Sequence, residues 1–204
     1  KGRAIDLSLR PQQALAIVPA GTDPNHNLPL EPSGSAQFSA EDRDTRGSWI
    51  GKYGAGGFEI VGGERSLPAY ARLSYLGGRL STWQADTADV RALQHKADPA
   101  KRSIAQRSSP IHQAVEISVE GPAPRDVAFY FVDWDHRRRH MIVDAVCAHT
   151  NHAMDTRILT NFAGGVYLSY RMTGRVQFRF TILGEDGSTF QGGDVTLSGV
   201  FFGR

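Results

Sequence analysis

At 204 residues, with 40% hydrophobic and 22% charged residues, the chain has enough apolar material for a sizeable core and the composition of an ordinary globular protein. A formal net charge of +2 excludes the broad basic field of nucleic-acid binders, and no apolar run approaches the ~18 residues of a membrane-spanning helix. The single cysteine, Cys147, excludes an internal disulfide and a cysteine zinc site, and in the apolar run Met141–Cys147 it reads as a small buried hydrophobe.

The chain opens at Lys1 without a methionine, which reads as a mature or excised piece and is compatible with the loss of an export signal. Ile5, Leu7 and Leu9 alternate with polar residues, and Gln13 to Val18 follow the turn signal Arg10-Pro11-Gln12. Residues 1–18 therefore read as a hairpin, either the tail strands of an upstream β-domain or an edge hairpin. Pro19, Pro24, Pro29 and Pro32 punctuate residues 19–35, which read as an extended, Pro-rich linker.

The main domain is expected over 36–204, beginning with a short strand at Gln37. Asp42-Arg-Asp-Thr-Arg-Gly47 follows, with carboxylates at alternate positions before a glycine. That pattern is compatible with a structural calcium held in part by Asp42 and Asp44, although the distal glutamate of an EF-hand is missing. Glycines between Gly47 and Gly57 then space Trp49, Tyr53 and Phe58, without the strand-then-helix context of a dinucleotide loop. Strands are expected at Phe58–Val61, Tyr70–Leu76 and Leu80–Gln84, the last carrying Trp83. Asp89 to Ala97 has mild helical spacing, limited by Pro99, and is either a short helix or a loop.

From Ile111 onward strand signals are dense. Val115, Ile117 and Val119 alternate with Glu116, Ser118 and Glu120. Val127 to Val132 is an unbroken apolar run, which predicts a strand covered on both faces. It breaks abruptly into Asp133-Trp134-Asp135, followed by His136 and Arg137-Arg138-Arg139. Further strands are expected at Met141–Cys147, Asp155–Leu159, Gly165–Arg171, Arg175–Leu183 and Asp194–Phe202. Short strands at roughly 8–12-residue spacing, without βαβ alternation, predict an all-β fold, an antiparallel, jelly-roll-like β-sandwich.

Five segments recur in this order in a known set of modules: Asp44-Thr-Arg-Gly-Ser-Trp-Ile-Gly-Lys-Tyr-Gly-Ala-Gly-Gly-Phe-Glu-Ile, Asp89-Val-Arg-Ala-Leu-Gln, Tyr130-Phe-Val-Asp-Trp-Asp with Arg139, Phe162-Ala-Gly-Gly-Val-Tyr-Leu-Ser-Tyr, and Leu197-Ser-Gly-Val-Phe-Phe. Over about Phe38 to Gly203 the chain resembles galactose-binding-like β-sandwich accessory modules appended to secreted bacterial glycoside hydrolases and related polysaccharide-degrading enzymes. The stretch Leu7 to Pro19 is similar to the closing strands of β-sandwich domains that end many large glycoside hydrolases. The resemblance implies a secreted or periplasmic location, an upstream catalytic domain in the same polypeptide, and a polysaccharide or oligosaccharide partner. It brings no catalytic or binding residue set onto these positions.

The site chemistry is therefore read from the residues. Aromatic faces stack on the apolar faces of pyranose rings, and planar polar groups take the hydroxyls. Trp49, Tyr53, Trp83 and Trp134 lie in or beside loops and are the candidate platforms, although large aromatics are commonly core residues. Arg137 and Arg138, with His136 and His140 nearby, suit the carboxylate or sulfate of an acidic glycan. Arg139 is expected to pair with Asp133 or Asp135 and pin the loop; the simplest alternative has Asp133 and Arg139 pairing while Trp134 merely caps the core.

His149 and His152 stand at a spacing that suits zinc only on a helix, and the segment is flanked by strands. Catalytic signatures are missing: there is no nucleophile elbow and no HExxH. Asp133 and Asp135 are two residues apart on one segment, whereas glycosidase carboxylates come from separate elements ~5–9.5 Å apart. The reading is a non-catalytic carbohydrate-binding module without a cofactor, with a structural spacer or protein-interaction sandwich as the alternative.

Overall fold

The structure is a computed structural model that describes residues 34–184 and 193–204. Residues 1–18, read as a hairpin, and the linker up to residue 33 lie outside the described residues. The described residues all fall within one compact unit, Pro32–Arg204.

Fourteen strands and no helix make up the described residues: β1 (Ser35–Asp42), β2 (Gly57–Ile60), β3 (Arg65–Ser66), β4 (Ala71–Leu76), β5 (Arg79–Gln84), β6 (Leu93–Gln94), β7 (Arg102–Ser109), β8 (His112–Val119), β9 (Arg125–Phe131), β10 (His140–Cys147), β11 (Ala153–Leu159), β12 (Val166–Leu183), β13 (Val195–Leu197) and β14 (Gly199–Phe202). Every pairing between these strands is antiparallel. The fold is an all-β, antiparallel β-sandwich.

Two differences from the sequence reading organise the sandwich. The segments read as separate strands at Gly165–Arg171 and Arg175–Leu183 are one strand, β12, of 18 residues. Its first half, Val166–Met172, pairs with β9 on one side and β1 on the other; its second half, from Gly174, pairs with β8 and β10. Gly174 at φ 61 falls at the change of partners, where a backbone without Cβ takes the positive φ without strain. One sheet thus runs β4-β8-β12-β10-β11 and the other β1-β12-β9-β14-β2-β3.

The period-2 patterns face the space between these sheets. Val115, Ile117 and Val119 from β8, Met141, Val143 and Ala145 from β10, and Val176, Phe178, Phe180 and Ile182 from β12 meet Val127, Phe129 and Phe131 from β9 and Leu168, Tyr170 and Met172 from the first half of β12. Phe129 anchors this core, its ring 4.5 Å from that of Phe178 and 5.9 Å from that of Phe180. Each fully buried side chain of this size contributes roughly 1.5–3 kcal/mol of transfer free energy.

The second difference is β7, which the sequence reading did not include because Arg102–Ser109 has only Ile104 and Ala105 as apolar residues. It centres a small sheet, β13-β7-β5, with β6 also paired to β7. This sheet and the segment carrying Trp49 and Tyr53 contribute to a second apolar cluster on the outer face of the β9 sheet. There Ala128, Tyr130, Val132, Tyr167 and Phe201 pack against Trp49, Tyr53, Ala92, Leu93 and Ile104. β9 is consequently covered on both faces, as its unbroken apolar run predicts. The segment Asp89 to Ala97 is not helical: it is turns plus β6, and Leu93 is held inward by that second cluster.

Candidate functional site

The segment after β9 forms a loop whose conformation is imposed by Asp133. Its backbone N–H donates to the Phe162 carbonyl at 3.1 Å, and its own carbonyl accepts from the His136 N–H at 3.2 Å. Its carboxylate accepts from the backbone N–H groups of Arg137 at 3.1 Å and Arg139 at 3.4 Å. His136 at φ 54 and Arg138 at φ 55 take left-handed conformations that side-chain-bearing residues seldom adopt. The carboxylate bonds hold this otherwise costly backbone in place.

Arg139 lies at the centre of the cluster, with only 1% of its side chain exposed. Nη1 donates to Asp133 and Asp135, Nη2 to Asp135 at 3.3 Å and to Asp194 at 2.7 Å, and Nε to Asp194 at 2.9 Å. Burial opposes its charge, but Asp135, Asp194 and Asp133 outweigh that and hold its pKa above the ordinary arginine value. Burial likewise works to raise the Asp135 carboxyl, and the bond and charge of Arg139, with Arg137 behind it, keep that pKa below the usual carboxylate value. Arg137 pairs with Asp135 at 2.9 Å. Arg138 is exposed and has no partner among the described residues.

The four aromatic candidates divide into two pairs. Trp49 is fully buried, its ring 4.7 Å from Phe58 and 5.1 Å from Phe201, and its indole N–H donates to the Gln94 carbonyl at 2.8 Å. Tyr53 is 4% exposed, stacked on Tyr167 at 4.2 Å, with its hydroxyl donating to Asp42 at 2.9 Å. Neither presents a free face, so both are core residues and not platforms. The glycines that space them let the segment fold down over the β9 sheet.

Trp83 and Trp134 are half-buried against the second cluster. Trp83 is the extra residue of a β-bulge, since Thr82 pairs with Ala105 and Gln84 with Ile104. A bulge re-aims its side chain, and the Trp83 ring lies 5.8 Å from the Arg139 guanidinium. The Trp134 ring carries the Arg91 guanidinium at 4.3 Å. Neither indole N–H has a partner among the described residues.

Arg91, Asp89 and Asp194 belong to this site and were not among the sequence candidates. Arg91 is clamped by Asp89 through Nε at 3.1 Å and Nη2 at 2.7 Å, and also reaches His136 at 3.3 Å and the Ala163 carbonyl at 3.1 Å. Those Arg91 hydrogen bonds, against a smaller effect of burial, hold the Asp89 carboxyl below its ordinary pKa. The Arg91 carbonyl takes the Tyr130 hydroxyl at 2.7 Å, fastening the segment to β9. The sequence signals for Asp89 and Arg91 are their spacing, inside a stretch that reads as a short helix or a loop, and their place in one of the five recurring segments.

The calcium reading does not fit the geometry. The Asp42 carboxylate accepts from the backbone N–H groups of Asp44 and Thr45, both at 2.9 Å, and from the hydroxyls of Thr45 and Tyr53. Burial pushes its pKa up, but these donors outweigh that and lower it. An oxygen pair engaged by four protein donors is a turn cap and not a cation ligand. The Asp44 side chain is exposed and makes no bond among the described residues.

The site is thus a rim: two half-exposed indoles around a carboxylate-locked loop, with Arg138 free and Arg91 and Arg137 paired at the surface. Among the described residues no nucleophile stands beside a base at this rim, and the Asp133 and Asp135 carboxylates are both committed to Arg139.

No protein-family model matches the chain, and no curated protein is similar to it. Among solved structures it is similar to the carbohydrate-binding module TmCBM61, solved in complex with β-1,4-galactotriose, at 12% identity and a TM-score of 0.32, over 66% of this chain and 85% of that one. It is also similar to the enzymatically active domain of tailspike protein 4 of bacteriophage CBA120, at 12% identity and a TM-score of 0.31, over 66% of this chain and 19% of that one. Neither likeness bears on the function of this chain.

Proposed function

We propose that this chain is a non-catalytic carbohydrate-binding module that holds a parent polysaccharide-degrading enzyme on its glycan, at a secreted or periplasmic location. The observation that carries the reading is the rim around Arg139, where Trp83 and Trp134 stand partly exposed with indole N–H groups that have no partner among the described residues, and Arg138 of the same loop as Trp134 is exposed. An indole supplies contact area to a sugar ring at low entropic cost, and its N–H takes a hydroxyl. The guanidinium groups favour acidic or sulfated glycans over neutral ones. The loop is rigid because Asp133 and Arg139 lock it, so little ordering is lost on binding.

Calorimetric titration against neutral, uronic and sulfated oligosaccharides tests this. The expected result is binding on the order of 10 µM to 1 mM, weakened by salt and lost in Trp83→Ala or Trp134→Ala. No heat with any glycan at millimolar ligand would overturn it.

A structural spacer or protein-interaction sandwich is the second reading. It is favoured by the burial of Trp49 and Tyr53 and by the Arg91 guanidinium over the Trp134 ring.

A further inference from the structure

The outer face of the β9 sheet is covered by the second apolar cluster only as far as Tyr53. Beyond Tyr53 a small cleft of about 160 Å³ lies across β1, β12 and β9, below the roughly 300–1,000 Å³ of a drug-sized ligand site, which limits it to a single small unit. Its lining includes Ser39, Asp126, Ser169, Arg171 and Arg204. The register explains how they converge. Ser169 and Arg171 alternate onto one face of β12, directly opposite Ala128 and Asp126 of β9. Ser39 is the extra residue of a bulge in β1, between Phe38, paired with Tyr170, and Ala40, paired with Ser169. The bulge turns its hydroxyl to the same cleft.

Apart from Arg204, these side chains make no hydrogen bond or ion pair among the described residues. Ser169 is 4% exposed, yet its hydroxyl has no hydrogen-bond partner. Buried hydroxyls are nearly always paired, and Ser169 is the residue lining this cleft whose buried hydroxyl has no partner among the described residues. Arg171 and Asp126 are directly opposed across the strands, where opposite charges normally attract, but form no ion pair. Ser39 has no partner among the described residues either. Arg204 reaches the Tyr53 hydroxyl at 3.4 Å and keeps its remaining donors. Two guanidinium groups and one carboxylate line the cleft, with the Asp42 carboxylate behind the Tyr53 hydroxyl.

We infer that this cleft is a saccharide subsite separate from the tryptophan rim, taking a single carboxylate-bearing sugar unit of the uronate class. Arg171 and Arg204 take the carboxylate, since planar guanidinium donors match it bidentately. Asp126 accepts from ring hydroxyls, Ser39 and Ser169 exchange hydrogen bonds with them, and Ala128 forms an apolar floor. The inference rests on the glycan-binding reading for its ligand class.

The test titrates the full chain, Arg171→Gln, Ser169→Val and Trp134→Ala with sodium D-glucuronate and with D-glucose, following amide shifts by NMR. The expected result is saturable binding of glucuronate with Kd on the order of 1–10 mM, D-glucose binding weaker, and shifts centred on Asp126, Ser169 and Arg171. Arg171→Gln should weaken it roughly tenfold, a charge-assisted bidentate contact being lost. Arg171 is exposed, so its substitution leaves the fold intact, and a thermal melt checks this. Glucuronate shifts that are absent, that lie outside the cleft, or that are unchanged in both cleft variants overturn the subsite. Oligosaccharide binding lost in Trp134→Ala with no glucuronate binding retains the rim and removes the cleft. Glucuronate binding lost in Arg171→Gln, with no tryptophan dependence of any glycan, retains the cleft and removes the rim.

Discussion

The Arg139 guanidinium meets the Asp194 carboxylate at 2.7 Å, joining the loop after β9 to the start of β13, 55 positions later in the chain. With Asp133 and Asp135 on its other nitrogen, this single buried cation ties together three acidic side chains. The loop that presents Trp134 and Arg138 is therefore anchored in the sandwich.

Removing the cation should strand Asp133, whose side chain is 5% exposed. Arg139→Ala is expected to destabilise the fold by about 3–5 kcal/mol, the cost of leaving a buried charge without its partner. Arg137→Ala, which breaks only a surface pair with Asp135, is expected to change stability by under ~1 kcal/mol. Chemical denaturation of the two variants side by side measures the difference, and equal small effects would contradict the buried-anchor account.

Acid should release the same anchor. Asp135 and Asp42 have folded pKa values below their ordinary ones. A depressed carboxylate contributes stability that is fully present above the unfolded pKa of ~3.9 and is lost as pH falls through the folded value. The melting temperature is expected to be flat in these groups from pH 7 to about 5 and to fall below pH ~4. In an Asp135→Asn variant the acid-side slope should be shallower.

The three tryptophans should separate by role. Trp49→Ala removes a fully buried indole and its bond to Gln94, and is expected to cost about 3–5 kcal/mol. Trp83→Ala and Trp134→Ala should cost much less and act on glycan binding. Melting curves and glycan titrations on all three variants distinguish the two effects.

Gly165 has φ 90, and a Cβ there would lie 2.0 Å from the Tyr130 hydroxyl oxygen. Gly165→Ala is expected to displace Tyr130 from its bond to the Arg91 carbonyl, loosening the segment that sets Arg91 over Trp134. The readouts are a lower melting temperature and altered Trp134 fluorescence; a variant indistinguishable from the parent would refute the coupling.

Because the first described strand begins at Ser35, a chain lacking residues 1–30 is expected to melt cooperatively. Loss of the cooperative transition on truncation would show that the sandwich depends on those residues.

The sequence by itself determined the fold class and the position of most strands. Period-2 alternation marks which side chains share a face, and the run Val127–Val132 marks a strand covered twice. It also pointed to the contacts of Arg139 with Asp133 and Asp135, which are six and four positions away and fall within one loop. Tertiary structure alone decided the rest. Trp49 and Trp83 sit in equally polar, turn-rich surroundings, and their fates differ because one segment folds onto the β9 sheet while the other lies on a bulged edge strand. Asp194, the continuity of β12 and the grouping of Ser39, Asp126, Ser169 and Arg171 depend on register between strands far apart in the chain. Local periodicity cannot encode that register, because it records a residue's face relative to its own neighbours and not the partner brought to it by packing of the whole core.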